Sequence, residues 1–180
     1  MSDTTDLETA VLGGGCFWCT ESVFLAVRGV TEVIPGYSGG HVSNPSYEQV
    51  CEKNTGHIEV IQVKFDPAIV SFESLLQVFF ATHDPTTPDR QGNDVGPQYA
   101  SAIFYQSPQQ HETAQQLIKQ VESLLGQPLA TKLLAAEQFW PAEDYHRNYY
   151  AEHPNQGYCQ IVIAPKLAKF RQHFASLLER

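Results

Sequence analysis

Basic residues are scarce in this chain of 180 residues: Lys and Arg number 11 against 20 Asp and Glu, a formal charge of -9. That deficit removes the basic footprint a phosphate backbone needs and argues against nucleic acid as a partner. No apolar run approaches the roughly 18 residues of a membrane span, so no membrane association is expected. The opening MSDTTDLET is acidic and polar and lacks the apolar core of a signal peptide. Residues 1–9 are therefore expected to be a mobile lead-in and residues 10–180 one globular domain, within the roughly 100–200 residues typical of a domain. Internal repeats and low-complexity linkers are missing too. The expected setting is cytoplasmic, and nothing in the chain requires more than a monomer. Cysteine is sparse, with only Cys16, Cys19, Cys51 and Cys159. In a reducing compartment such cysteines are catalytic or metal-binding rather than a disulfide framework. The second close pair that structural zinc requires is absent: Cys51 and Cys159 stand far apart, and His41, His57, His146 and His153 form no matching pair. No metal site is expected.

What is present is an alternation of short strands and helices. Ala10-Val11-Leu12 reads as a buried strand running into three glycines, followed by a helix from about Cys16 to Arg28 with Val23, Phe24 and Val27 inward and Gly29 past its end. Residues 37–50, YSGGHVSNPSYEQV, read as a loop. Residues 58–65, IEVIQVKF, alternate as a strand. Ser71 caps a helix in which Phe72, Leu75, Leu76, Phe79 and Phe80 follow i, i+3, i+4, i+7, i+8. Residues 83–98 form a long aperiodic loop, a length more often functional than idle. Ser101 to Tyr105 is a strand. Ser107 and Pro108 open a helix with Leu117, Ile118, Val121, Leu124 and Leu125 inward, closed by Gly126. A short helix follows Pro141. YCQIVI at 158–163 reads as a last strand, and Leu167, Phe170, Phe174, Leu177 and Leu178 mark a C-terminal helix. The order predicts mixed α and β structure in one domain.

Chemistry concentrates at GGGCFWC, residues 13–19. Glycines allow a tight strand-to-helix turn. Cys16 then opens a helix, whose unpaired N–H groups and positive dipole end favour thiolate. The placement predicts a nucleophile with a lowered pKa, whereas the ordinary fate of a free Cys is buried packing. Cys19 completes a C-x-x-C, the usual mark of a thioredoxin-like dithiol exchanger. Phe17 and Trp18 between the cysteines weigh against that reading. They suit the walls of an apolar pocket for a methyl or thioether group, though aromatic pairs also serve plain core packing. The residues alone leave open a thiol enzyme, a thioredoxin-like oxidoreductase and a non-enzymatic Cys metal-binding domain.

GCFW, GYSGG, NPSYEQVC, TGHIEV, HDP, RQGND, GPQY and GYC then follow one another between residues 10 and 160. In this order they resemble the A-type peptide methionine sulfoxide reductases. The resemblance implies an α+β fold, a two-layer α/β sandwich with a ferredoxin-like core, and no metal or organic cofactor. It implies a catalytic domain that reduces methionine-S-sulfoxide, protein-bound and free. Cys16 takes the family's nucleophile position and Glu59 its acid position, where shelter would raise the carboxyl pKa. Tyr47 and Tyr99 take the two tyrosine positions, whose hydroxyls bond the sulfoxide oxygen. Asp94 matches the loop aspartate that organises substrate and water, and Phe17 and Trp18 would hold the substrate methyl. Attack leaves a sulfenic acid on Cys16, a second thiol closes a disulfide, and thioredoxin reduces it. Here the chain departs from many members, which carry a small residue at the position of Cys19 and recycle through a C-terminal cysteine. Residues i and i+3 of a helix lie about 5–6 Å apart, close enough for a disulfide. Cys19 is the expected resolving thiol, with Cys159, at the GYC position, as the alternative or the second member of a relay. Cys51 is expected to be a packed free cysteine.

Overall fold

Alternation in the apolar runs decides which way each strand faces. The computed structural model describes residues 6–153 and 155–174, and of Cys159 and His173 the backbone alone. Strand β1 (Glu8–Gly14) begins two residues before its apolar run, with Glu8 paired to Phe65 and Thr9 to Lys64. It leads through Gly15 into α1 (Phe17–Leu25), then β2 (Val30–Ser38), α2 (Tyr47–Cys51) and β3 (Ile58–Phe65). Helix α3 (Phe72–Ala81), the small hairpin β4 (Arg90–Gln91) and β5 (Asp94–Val95), and β6 (Ser101–Tyr105) follow. Next come α4 (Pro108–Leu125), β7 (Lys132–Ala135), β8 (Trp140–Pro141), α5 (Tyr149–Glu152), a wide π-helical turn (Cys159–Ile163) and α6 (Ala164–His173).

The main sheet runs β7-β6-β1-β3-β2-β8, antiparallel except between β6 and β7. Within it β1, α1, β2, β3, α3 and β6 give the strand order β6-β1-β3-β2, the split βαβ of a ferredoxin-like core. Ala10 and Leu12 of β1, Ile61, Val63 and Phe65 of β3 and Ile103 of β6 pack with Phe24, Leu75, Phe79, Leu117 and Phe170 of the helices. Val11, Val60, Ala102 and Phe104 point the other way, against Leu134 and Phe139. The chain is thus a two-layer sandwich in which each fully buried Phe or Leu contributes about 1.5–3 kcal/mol.

The caps act as the sequence suggests. Ser71 accepts from Ser74 N–H, Ser107 from Gln110 N–H, and Gly126 closes α4 in the left-handed conformation. Three local expectations are corrected, and one strand carries no clear sequence signal. Residues 47–51 are helical rather than loop, because Ser46 and Gln49 form a capping box. Strand β2 hides in a sequence broken by Pro35 and Gly36, tolerated because its far neighbour β8 spans only two residues. Leu124 and Leu125 are exposed, since the last turn of α4 outruns its packing partners. YCQIVI is not a strand. Ile163, Leu167 and Phe170 are spaced i, i+4, i+7 and bury one helical face. The wide turn before α6 accommodates Pro165, whose ring would clash with the Ile161 carbonyl in a regular helix. Leu177 and Leu178 lie outside the described residues.

Candidate active site

The site grows from the junction of β1 and α1. Gly15 has φ +93°, and a Cβ there would stand 2.6 Å from Cγ of Gln91. Only glycine lets the chain turn so closely under the β4–β5 hairpin. Gln91 is itself held by Asp84, accepting from its N–H at 2.9 Å and donating to its carbonyl. Cys16 is consequently the N-cap of α1 and is nearly buried. The next amide, Phe17 N–H, donates to Glu59 Oε1 at 3.1 Å. Glu59 lies on β3 opposite Tyr37, on the same face as Ile61 and Val63, and is buried. Burial raises its carboxyl to about 8, against the pull of the Phe17 hydrogen bond. It is therefore a carboxylic acid, not a carboxylate, at neutral pH. Its second oxygen, Oε2, is buried with no hydrogen-bond partner among the described residues.

The helix start does not lower the resting pKa of Cys16, as its position alone predicts. Burial pushes the thiol well up, and a hydrogen bond to Cys19 and the nearby Glu59 add to the rise. The same thiol–thiol hydrogen bond draws Cys19 down to about 7 against its burial, helped by Lys166 and Tyr158. The two cysteines thus share their protons unequally, with Cys16 donating. Both thiols are buried.

Around Cys16 stands an aromatic cage. Phe17 is wholly buried, its ring 5.6 Å from Tyr37, 6.4 Å from Tyr47 and 5.0 Å from His146. Trp18 is half-buried and stacks on Tyr149 with centroids 3.8 Å apart. Glu59 raises the hydroxyl pKa of both Tyr47 and Tyr99, second only to burial. Those residues and Cys16 therefore converge on one acid. Asp94, on β5, reaches the thiols from the opposite side, where its Oδ2 accepts from Tyr158 at 2.8 Å. The structure thus gathers Cys16, Phe17, Trp18, Cys19, Tyr47, Glu59, Asp94 and Tyr99. The side chain of Cys159 lies outside the described residues.

Sequence reasoning missed the residues that hold this cage. His146, buried, accepts from Trp18 Nε1 on Nδ1 at 3.0 Å, which places its own proton on Nε2. Glu143 accepts from the Tyr37 hydroxyl at 3.1 Å and from Tyr47 N–H at 2.9 Å. Glu21, buried on α1, accepts from Asn148 and Tyr149 N–H and so fixes the ring beneath Trp18. Residues 143–149 form a strap with no periodic signal to reveal it. Tyr158, within GYC, carried a signal but no role.

Among the described residues, no three His, Cys, Asp or Glu side chains are grouped to hold a metal ion, and no helix is long and apolar enough to cross a membrane. Residues 8–178 match the model of the family described as peptide methionine sulfoxide reductase. Peptide methionine sulfoxide reductase MsrA of Thermus thermophilus is 56% identical over 171 residues, covering 95% of this chain and 97% of its own. The crystal structure of Saccharomyces cerevisiae Mxr1 in reduced form is similar, with TM-score 0.80 at 29% identity over 88% of this chain and 92% of its own. Methionine sulfoxide reductase A of Corynebacterium diphtheriae gives 0.75 at 33% identity over 84% and 77%.

Proposed function

The chain belongs to the peptide methionine sulfoxide reductase family, and from that premise we propose how its own residues perform the reaction. It is an oxidoreductase, a peptide-methionine (S)-S-oxide reductase. In this reading the sulfoxide sulfur meets Cys16 Sγ while its oxygen approaches the unpartnered Oε2 of Glu59. The methyl group rests against Trp18, with Phe17 bracing the wall. Glu59 gives its proton to the oxygen, and the hydroxyls of Tyr47 and Tyr99, held protonated by burial, stabilise the charge as the S–O bond weakens. The oxygen passes to Cys16, which becomes a sulfenic acid. The substrate departs as a thioether, and the thiol proton restores Glu59. Atoms balance: thiol plus sulfoxide gives sulfenic acid plus thioether.

The observation that carries the reading is Glu59, a neutral acid with a buried, unpartnered oxygen beside a buried thiol. Its test is single-turnover methionine formation from a methionine sulfoxide peptide by Glu59→Gln, which keeps the Phe17 hydrogen bond but has no acidic proton to transfer. The expected loss is about 10²–10⁴-fold, and turnover at the parent rate would reject the assignment.

For recycling, Cys19 closes the disulfide with Cys16. Its burial against Cys16, the shared hydrogen bond and its lowered pKa support this. Cys159 is the alternative. Thioredoxin then serves as reductant, a proposal supported by the solved complex of Mxr1 with Trx2. A cytoplasmic setting and a monomer remain part of the proposal; one copy of the chain brings together Cys16, Cys19 and Glu59.

A further inference from the structure

Tyr158 stands on the far side of the thiols from Glu59. Its hydroxyl donates to Asp94 Oδ2 at 2.8 Å, and its oxygen lies 3.7 Å from Cys19 Sγ. These groups come from separate stretches: helix α1, the β4–β5 hairpin, and the residue just before the wide turn that precedes α6. A phenol has one proton, and Tyr158 can give it to Asp94 at 2.8 Å or turn it to a Cys19 thiolate, which it stabilises. While that proton is directed at Asp94, the oxygen lone pairs accept from the Cys19 thiol, since either atom of the pair can be the donor. The result is a continuous thiol–hydroxyl–carboxylate chain. Burial, with the two thiols, holds the ionisation of Tyr158 far above its ordinary value. The phenol can therefore pass a proton along without becoming a phenolate. A cavity of about 650 Å³, lined by Cys16, Cys19, Asp94, Tyr158 and Lys166 among others, adjoins the chain and gives water a place to leave.

We infer that Tyr158 and Asp94 form a proton relay that activates Cys19 against the Cys16 sulfenic acid. The inference rests on the reading of Cys19 as resolving thiol. Tyr158 touches the reacting sulfur, whereas Asp94 acts through it and is a positioning residue. In the step, Cys19 Sγ bonds Cys16 Sγ and the S–O bond of the sulfenic acid breaks. The Cys19 proton moves to the Tyr158 oxygen as the Tyr158 proton moves to Asp94. The departing hydroxide takes up a proton, Asp94 returns its own through the cavity water, and water leaves. Thiol plus sulfenic acid gives disulfide plus water: Cys19 is oxidised and Cys16 is reduced by the same pair of electrons. Asp94 and Tyr158, half-buried at the cavity edge, thus serve the second half of the cycle, while Glu59 serves the first.

The test is a single turnover of the full chain with a methionine sulfoxide peptide and no reductant. Methionine appearance reads the first step, and loss of dimedone-trappable sulfenic acid reads the second. Tyr158→Phe is expected to lower the ratio of second to first rate constant about 10–100-fold. Its second-step pH profile should move to higher pH, because Cys19 must then lose its proton to solvent. The groups facing Cys19 in that titration are Cys16, Glu59 on β3, Asp94 on β5, Tyr158 and Lys166 on α6. A variant that merely loosened the fold would lower both steps and leave the profile in place. Asp94→Asn should lower the ratio in the same direction, and decides the matter if Tyr158→Phe does not fold. An unchanged ratio and profile in a folded Tyr158→Phe, with sulfenic acid persisting in Cys19→Ser, overturns the relay alone. Sulfenic acid that disappears at the parent rate in Cys19→Ser and persists in Cys159→Ser overturns the resolver reading and the relay with it.

Discussion

The two sides of the thiol pair are built from opposite materials. On the Glu59 side, Phe17, Trp18, Tyr47 and His146 close an aromatic wall, and the Glu59 carboxyl there is buried and raised to about 8. On the Tyr158 side, Asp94, Tyr158 and Lys166 border an open cavity of about 650 Å³. One sulfur chemistry needs both. Giving a proton to a sulfoxide requires a carboxyl kept neutral, which burial supplies. Taking a proton from a thiol and releasing water requires acceptors and an exit. In the proposed cycle, two carboxyl groups close enough to influence each other take different roles from their surroundings.

The comparison can be broken at four places, from the largest effect to the smallest. Cys16→Ser removes the centre that both sides share. Reduction of a methionine sulfoxide peptide with dithiothreitol should fall about 10⁴–10⁶-fold, and normal turnover would show the nucleophile lies elsewhere. Glu59→Gln strikes the dry side, where loss of rate should come with a gain in stability. Its folded pKa of about 8 exceeds the ordinary 4.5. Burying Glu59 is therefore free of charge-related cost at low pH and increasingly costly as pH climbs through that window. Thermal melts should show the variant gaining on the parent by about 1.4 kcal/mol per pH unit between those values, and no further above 8. The same sign governs activity: methionine formation by the parent should hold below pH 8 and decline above it, as the acid form is lost.

His146→Phe tests whether the strap positions the cage. Trp18 Nε1 would lose its acceptor, destabilising the fold by about 1–3 kcal/mol. KM for the sulfoxide peptide should rise more than kcat falls, because the methyl wall is displaced while Glu59 and Cys16 stay. Equal changes in both would point to a general loosening instead. Glu32→Gln lies apart from both sides. Its ion pairs with Lys64 and Arg147, at 3.6 and 3.4 Å, are solvent-exposed, so stability should change by less than about 1 kcal/mol and activity should stay at the parent rate.

Legibility followed locality. The helix caps at Ser71 and Ser107, the core faces of α1 and α3 and the alternation of β3 are written in neighbouring residues, and they stand where the periodicity puts them. Strand β2 escaped because Pro35 and Gly36 break its pattern, and its membership is decided by β3, some 25 residues away in register at Pro35–Ile61. YCQIVI misled because β-branched residues favour strands only where a sheet edge receives them. Here, helical spacing onto the core won. His146 and Glu143 left no trace, since their partners Trp18, Tyr37 and Tyr47 are about 100 residues distant.

By itself the sequence determined that a strand breaks on glycines, that Cys16 opens the helix that follows, and that Cys19 stands one turn later. Backbone sterics and capping settle these within a few residues. Tertiary structure alone decided the protonation of the site. Position at a helix start favours a thiolate, yet burial, Cys19 and Glu59 keep Cys16 a thiol at rest. Glu59 becomes an acid only because β3 carries it into the core beneath α1. Solvation depends on what folds over a group, and no short stretch of chain contains that information.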